Sequence, residues 1–273
     1  MPHEQDIPEN YVELSNVRGK TTVIRSRSTN PMKILTPRRG GESAWIYTSN
    51  FGGGLVAGDE IHLKIRAHES TTTFLTTQAS TKVYRSQTQL PCRQSLETWV
   101  GRGARFVLVP DPITCFAESI YEQAQRFDLE SGAELAFVDW FTSGRSARGE
   151  CWAFSRYQSR NEVYLDGKCI LADALVLDPA DGPLDCNARM GSYKCAGTIV
   201  MVGGQFEGQF KELRAVTEEL AGRSDLTAAA SPIPAGVLLR IAGDSTQRVS
   251  LFIRERLSFI TEWLQEDPWE RKW

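Results

Sequence analysis

The sequence is poor in the ligands and signatures that most enzyme and metal chemistry needs. It has three histidines, His3, His62 and His68, and no His-Glu-x-x-His. His62 and His68 fall on the same side of one extended segment, but at that spacing they stand about 20 Å apart. Six cysteines lie between Cys92 and Cys195 with no Cys-x-x-Cys, so neither a closed zinc site nor a disulfide framework is visible. Gly-x-Ser-x-Gly is absent, which removes the commonest hydrolase elbow. No run approaches about 18 consecutive apolar residues, the length a membrane helix needs. The opening MPHEQDIPEN has no apolar stretch of the kind a secretory leader carries. A cytoplasmic protein that does not enter a membrane is the expectation. An excess of positive charge is also missing. Lys and Arg number 31 against 34 Asp and Glu, a formal net charge of −3, which argues against a nucleic-acid partner.

What is present is a globular composition, 41% apolar and 24% charged in 273 residues. The chain reads in short extended pieces. Ile61, Leu63, Ile65 and Ala67 alternate with His62, Lys64, Arg66 and His68, which places four apolar groups on one strand face. TTTFLTT (71–77), RFVLV (105–109), LAFVDWF (135–141), CILADALVL (169–177) and TIVMV (198–202) add strands, separated by Gly-, Asp- and Pro-containing turns. Helical spacing appears in 207–223 and in 247–266, and a shorter helix is expected around 117–127. The segment LTAAASPIPA (226–235) reads as a loop. No regular strand–helix–strand rhythm supports a doubly wound sheet. The expectation is a mainly β fold with two or three helices, one of them amphipathic and C-terminal. Its apolar stripe, widened by Phe259, Trp263 and Trp269, fits either packing on a sheet or a partner surface.

Three stretches carry candidate chemistry. In SNFGGGLVAGD (49–59), a dinucleotide or phosphate loop fails on context, because a strand follows and no Gly-Lys-Ser/Thr closes it. A turn that presents Asp59 and a protein-contact loop both remain. In LTTQASTKVYR (75–85), an extended chain puts Thr76, Gln78, Ser80, Lys82 and Tyr84 on one face. That row is either a solvated strand face or the wall of a polar groove. In VDWFTSGRSARGE (138–150), Asp139 sits inside an apolar strand, where a carboxylate is costly unless paired. Arg145 and Arg148 are nearby donors. The choice lies between a structural ion-pair network and an Asp139–Glu150 pair that handles a metal or partner.

Together these stretches, with VPDPITCFAESIYEQ (109–123) and VDWFTSGRSARGECWAF (138–154), resemble the UreD (UreH) urease accessory family over residues 15–265. GVLLRIAG (236–243) is compatible with it. Phe51 and Ala57 stand where that family often has proline and glycine. The resemblance implies an elongated, helicoidal, mainly β domain at 15–265, after a flexible segment at 1–14 and before a tail at 266–273. It implies no catalysis and no permanent cofactor. Implied partners are urease apoprotein, the accessory protein UreF, and the GTPase UreG through UreF. The implied task is delivery of nickel(II) to urease, with a polar passage as the route. Carried over in this way, Asp59, Asp139 and Glu150 are candidate transient nickel ligands. Thr76, Gln78, Ser80, Lys82, Arg145 and Arg148 are candidate passage or partner surface. Oxygen donors suit a conduit, since thiolate and imidazole clusters hold late first-row divalent ions too firmly to release them. The alternatives are a docking-only platform and a mainly β hydrolase.

Overall fold

In the computed structural model, residues 10–38, 40–206, 208–220 and 222–271 are described. Seventeen strands and three α-helices are found among them. The first half runs β1 (Asn10–Val17), β2 (Lys20–Arg27), β3 (Met32–Leu35), β4 (Ala44–Asn50), β5 (Glu60–Ala67), β6 (Thr72–Thr77), β7 (Lys82–Val83), β8 (Cys92–Val100), β9 (Arg105–Leu108) and β10 (Ile113–Cys115). The second half runs β11 (Ile120–Leu129), β12 (Glu134–Thr142), β13 (Arg156–Leu165), β14 (Lys168–Leu177), β15 (Cys195–Val202), α1 (Phe210–Glu219), β16 (Leu226–Ile233), β17 (Gly236–Gly243), α2 (Thr246–Arg256) and α3 (Ile260–Leu264).

The strands form two sheets. The first has the order β14-β13-β11-β8-β5-β1-β2, and the second β16-β17-β15-β12-β9-β6-β4-β3, with β10 and β7 attached beside β12. From β4 to β13 the longer strands alternate between the sheets. β4, β6, β9 and β12 join the second in parallel, and β5, β8, β11 and β13 join the first in parallel. Each coil therefore gives one strand to each sheet and meets only its neighbours, as in a β-solenoid. Antiparallel pairs close both ends of the first sheet. The protein is thus mainly β, elongated and solenoid-like.

Alternation of side chains explains the layers. One apolar cluster lies between the sheets and contains Ile61, Leu63, Ile65 and Ala67 of β5 and Leu135, Phe137 and Phe141 of β12. The other face of the second sheet carries Ala136, Val138 and Trp140, which pack with Val249, Phe252, Ile253, Ile260 and Trp263 of the terminal helices. Strand β12 is therefore covered on both faces, which is why its sequence is almost continuously apolar. The stripe on α2 and α3 packs on the sheet, so it does not form an outer surface.

Several local expectations change. The segment around 117–127 is largely strand β11, with Tyr121, Phe127 and Leu129 buried at period two and two parallel neighbours. Residues 226–233 form edge strand β16, whose one sheet neighbour among the described residues is β17. Pro232 is tolerated there because an edge leaves one side of the strand free of ladder bonds. The terminal helix is two helices, parted where Leu257 turns out of helical geometry (φ −105°, ψ 20°) while its side chain stays buried. Strand β1 begins ahead of residue 15, with Val12 and Leu14 fully buried. Beyond residue 265, Glu266 accepts a hydrogen bond from the Gly41 amide and Trp269 packs on the helix-side cluster. Residues 1–9 of the segment read as flexible lie outside the described residues.

Phe137 is fully buried and stacks on Phe127 with ring centroids 4.7 Å apart. Phe137→Ala is expected to cost about 3–5 kcal/mol, as large-to-small changes in packed cores do. Urea unfolding checks this, and a loss below about 1 kcal/mol contradicts the inter-sheet core.

Candidate functional site

In-register stacking of the coils lines up polar side chains on the inner face of the first sheet. Ile61, Gln94, Gln123 and Ser159 are successive partners across β5, β8, β11 and β13. The next inward row is Leu63, Leu96, Gln125 and Asn161. Amides and a hydroxyl thus occupy positions where the rest of the face is apolar. Across the gap, Asp139 shares the inward side of β12 with Phe137 and Phe141.

Asp139 is 8% exposed and is held by three neutral donors. Gln123 Nε2 donates to Oδ1 at 2.9 Å, and Ser159 Oγ and Asn161 Nδ2 donate to Oδ2 at 2.5 and 2.9 Å. The Tyr121 hydroxyl donates to the carbonyl oxygens of Gln94 (2.6 Å) and Gln123 (3.1 Å). That contact fixes which end of the Gln123 amide faces the carboxylate. Burial pushes the Tyr121 phenol well above its ordinary pKa, with Cys115 and Asp139 adding to the effect. The phenol therefore stays a neutral donor.

Arg145 and Arg148 do not brace Asp139. Arg145 instead grips Glu150, through Nε to Oε2 at 2.9 Å and Nη2 to Oε1. Glu150 Oε2 also accepts from the Ala117 amide at 3.2 Å. The Arg145 hydrogen bond holds the Glu150 carboxyl below its ordinary range. Its support for the 144–150 turn is therefore present above the usual Glu pKa and lost as pH falls through the lowered value. Asp59 is elsewhere again. Its Oδ2 accepts from the Val56 amide at 2.8 Å and closes the glycine-rich turn. Among the described residues, no group of three or more His, Cys, Asp and Glu side chains is placed to hold a metal together.

The 75–85 stretch is not one strand. β6 ends at Thr77, the chain turns, and β7 resumes at Lys82. Thr76 is buried and donates to the Val109 carbonyl at 2.6 Å, and Ser80 donates to the Pro112 carbonyl at 2.6 Å. Gln78 and Lys82 are exposed. The two sheets enclose a cavity of about 150 Å³, whose walls include Thr76, Ser80, Gln94, Gln123, Gln125 and Asp139. Exposed Gly53 and half-buried Asn50 and Thr77 also line it, so it reaches the surface beside the glycine-rich turn. Gln125 Oε1 is buried in this wall with no protein partner. Gly54 completes the wall by close approach, since a Cβ there would stand 2.6 Å from the Lys82 carbonyl oxygen.

The sequence reading missed Gln123, Ser159 and Asn161. The signal was available in β13, where Ser159 and Asn161 alternate between Tyr157 and Val163 on a buried face. It lies 20 and 22 residues from Asp139, and only the coil register brings it opposite.

A match to the UreD urease accessory protein family extends over residues 10–273. The chain belongs to the UreD family. It is 43% identical over 260 residues to "Urease accessory protein UreD" of Sorangium cellulosum, covering 95% of this chain and 82% of that one. It is 38% identical over 262 residues to the protein of the same description in Anaeromyxobacter, covering 95% and 88%. It is 32% identical over 289 residues to "Urease accessory protein D" of Arabidopsis thaliana, covering 94% and 98%. In this UreD family member the cavity offers oxygen and amide groups. The thiols near it are withdrawn from chemistry, since burial pushes Cys92 and Cys115 up to about 12, assisted for Cys92 by the Asp59 charge. Burial also pushes Cys195 up to about 12.

A thiol reagent at pH 8 is therefore expected to label exposed Cys151 and Cys169 rapidly in the native protein, and Cys92, Cys115 and Cys195 only after unfolding. Mass mapping of the labelled peptides checks this. Rapid native labelling of Cys115 contradicts the closed inter-sheet packing.

Proposed function

We propose that this chain is a non-catalytic urease maturation factor that binds urease apoprotein and UreF, and through UreF the GTPase UreG, in the cytoplasm. We further propose that its inter-sheet cavity is part of the route by which nickel(II) reaches the urease site. The observation that carries the reading is Asp139, a buried carboxylate on a cavity wall with three neutral hydrogen-bond donors and no ion-pair partner among the described residues. A carboxylate neutralised by arginine has little charge to offer a passing cation. One held by amides and a hydroxyl keeps its orientation and its charge available. Much of the wall is apolar, and its other polar side chains are hydroxyls and amides, whose oxygens suit hard or borderline divalent ions and let them go. Thr76 and Ser80 belong to this wall. Glu150 is tied to Arg145 at the neighbouring turn, and Asp59 serves the turn beside the mouth, so neither shares a first ligand set with Asp139.

The hydrolase reading has less support. His62 contacts Ser95 and lies 3.3 Å from Glu97, but on the outward side of the first sheet. Glu97 is shared there with Lys64, and the row stands open to water. Ladder-bonded strand amides offer that row no oxyanion hole.

The test is a host with every urease gene except this one. Restoring the wild-type chain is expected to restore urease nickel and activity. Asp139→Ala is expected to leave co-purification with the partners intact and to lower urease nickel at least about fivefold. Full loading by the folded variant overturns the passage reading and leaves the docking platform. No restoration by a soluble wild-type chain that meets its cognate partners overturns the maturation reading.

A further inference from the structure

A second pocket opens beside the cavity and has the opposite electrostatic character. Its walls are Ser80, Lys82, Tyr84, Thr114, Phe116, Arg145 and Arg148, and it is open to solvent. Ser80 lines both spaces, and its hydroxyl also meets that of Thr114 at 3.1 Å. Three cationic side chains converge here. Arg145 is paired with Glu150 and lies over the Phe116 ring at 4.1 Å from its centroid. Lys82 and Arg148 are exposed and form no ion pair among the described residues. Glu150 feels Arg148 as well as Arg145, and three cations to this one carboxylate leave a local excess of positive charge on a chain whose net charge is −3. A ligand of opposite sign gains from that local excess of charge.

The flanks indicate what kind of ligand. The glycine-rich turn packs directly on β7 through the Leu55 amide to the Lys82 carbonyl oxygen (2.8 Å) and the Tyr84 amide to the Leu55 carbonyl oxygen (2.9 Å). That turn presents Phe51 and Val56 to solvent at 58% and 53% exposure. Unpaired cations, hydroxyl donors and flanking exposed apolar groups match the mixed character of a protein-docking surface.

We propose that the Lys82–Arg145–Arg148 pocket receives an acidic segment of a protein partner, whose carboxylates neutralise the cations beside the Ser80 wall of the cavity. This rests on the passage reading for its consequence: an unoccupied pocket repels a divalent cation at Ser80, and an occupied one does not. Docking and admission of the metal are then one event.

The test needs neither nickel nor urease, so its failure and the failure of the passage reading are separable. Binding of a fluorescent poly-glutamate peptide to the full chain is followed by anisotropy at constant ionic strength. The double variant Lys82→Gln, Arg148→Gln changes two exposed side chains and leaves the Arg145–Glu150 pair in place. Its unfolding midpoint serves as the control for folding. The wild type is expected to bind, with affinity falling as salt rises, and the variant to bind at least about tenfold more weakly. Equal binding by both proteins overturns the proposal. Displacement of the peptide by millimolar phosphate or bicarbonate at the same ionic strength also overturns it, because it assigns the pocket to a free small oxyanion.

Discussion

Strand β12 is packed on both faces, and that double burial is the constraint on which the site depends. Phe137 and Phe141 are committed to the core between the sheets, and Val138 and Trp140 to the layer beneath the helices. Side-chain alternation then leaves Asp139 no choice of side. It must enter the inter-sheet space, and a carboxylate there needs partners. The coil register supplies them, because Gln123, Ser159 and Asn161 are carried to the same level by parallel strands β11 and β13. A one-residue slip in either strand would turn these donors to the outside and leave the carboxylate unsatisfied. The solenoid is thus both the scaffold and the alignment device of the polar cavity.

Two electrostatic environments lie on either side of Ser80. Inside, a largely apolar wall carries neutral hydroxyls and amides and one carboxylate with no ion-pair partner among the described residues. Outside are two cations that form no ion pair among the described residues, beside the Arg145–Glu150 pair. For an anionic ligand the outer pocket is the attractive one, and for a divalent cation the inner cavity is.

Much of the fold was legible because it is local. Alternation at 61–67 and the apolar runs at 105–109 and 135–141 report strands directly. The family could be recognised from four motifs. Other elements were hidden by physics that sequence windows do not contain. Strand β11 carries Glu122, Gln123 and Arg126 among apolar residues and fits a short helix as well as a strand, and two parallel neighbours decide it. Strand β16 is alanine-rich and ends near proline, and it is extended because β17 pairs with it along its length. Of the site, Asp139 was visible as an anomaly in an apolar strand. Its three donors were not, since they come from other coils. The separation of Asp59, Asp139 and Glu150 into three environments was equally invisible, because each is set by backbone turns and a single arginine.

Whether nickel travels inside this protein, as proposed, is tested most directly by transfer under a chelator barrier. Nickel passage to urease apoprotein is followed in the fully assembled complex with excess EDTA, which captures any nickel released to solvent. Continued loading of urease with the wild-type chain, and loss of that protected loading with Asp139→Ala, is the predicted result. Loading abolished by EDTA in the assembled wild-type complex would mean that the metal passes through solvent, and would contradict the account.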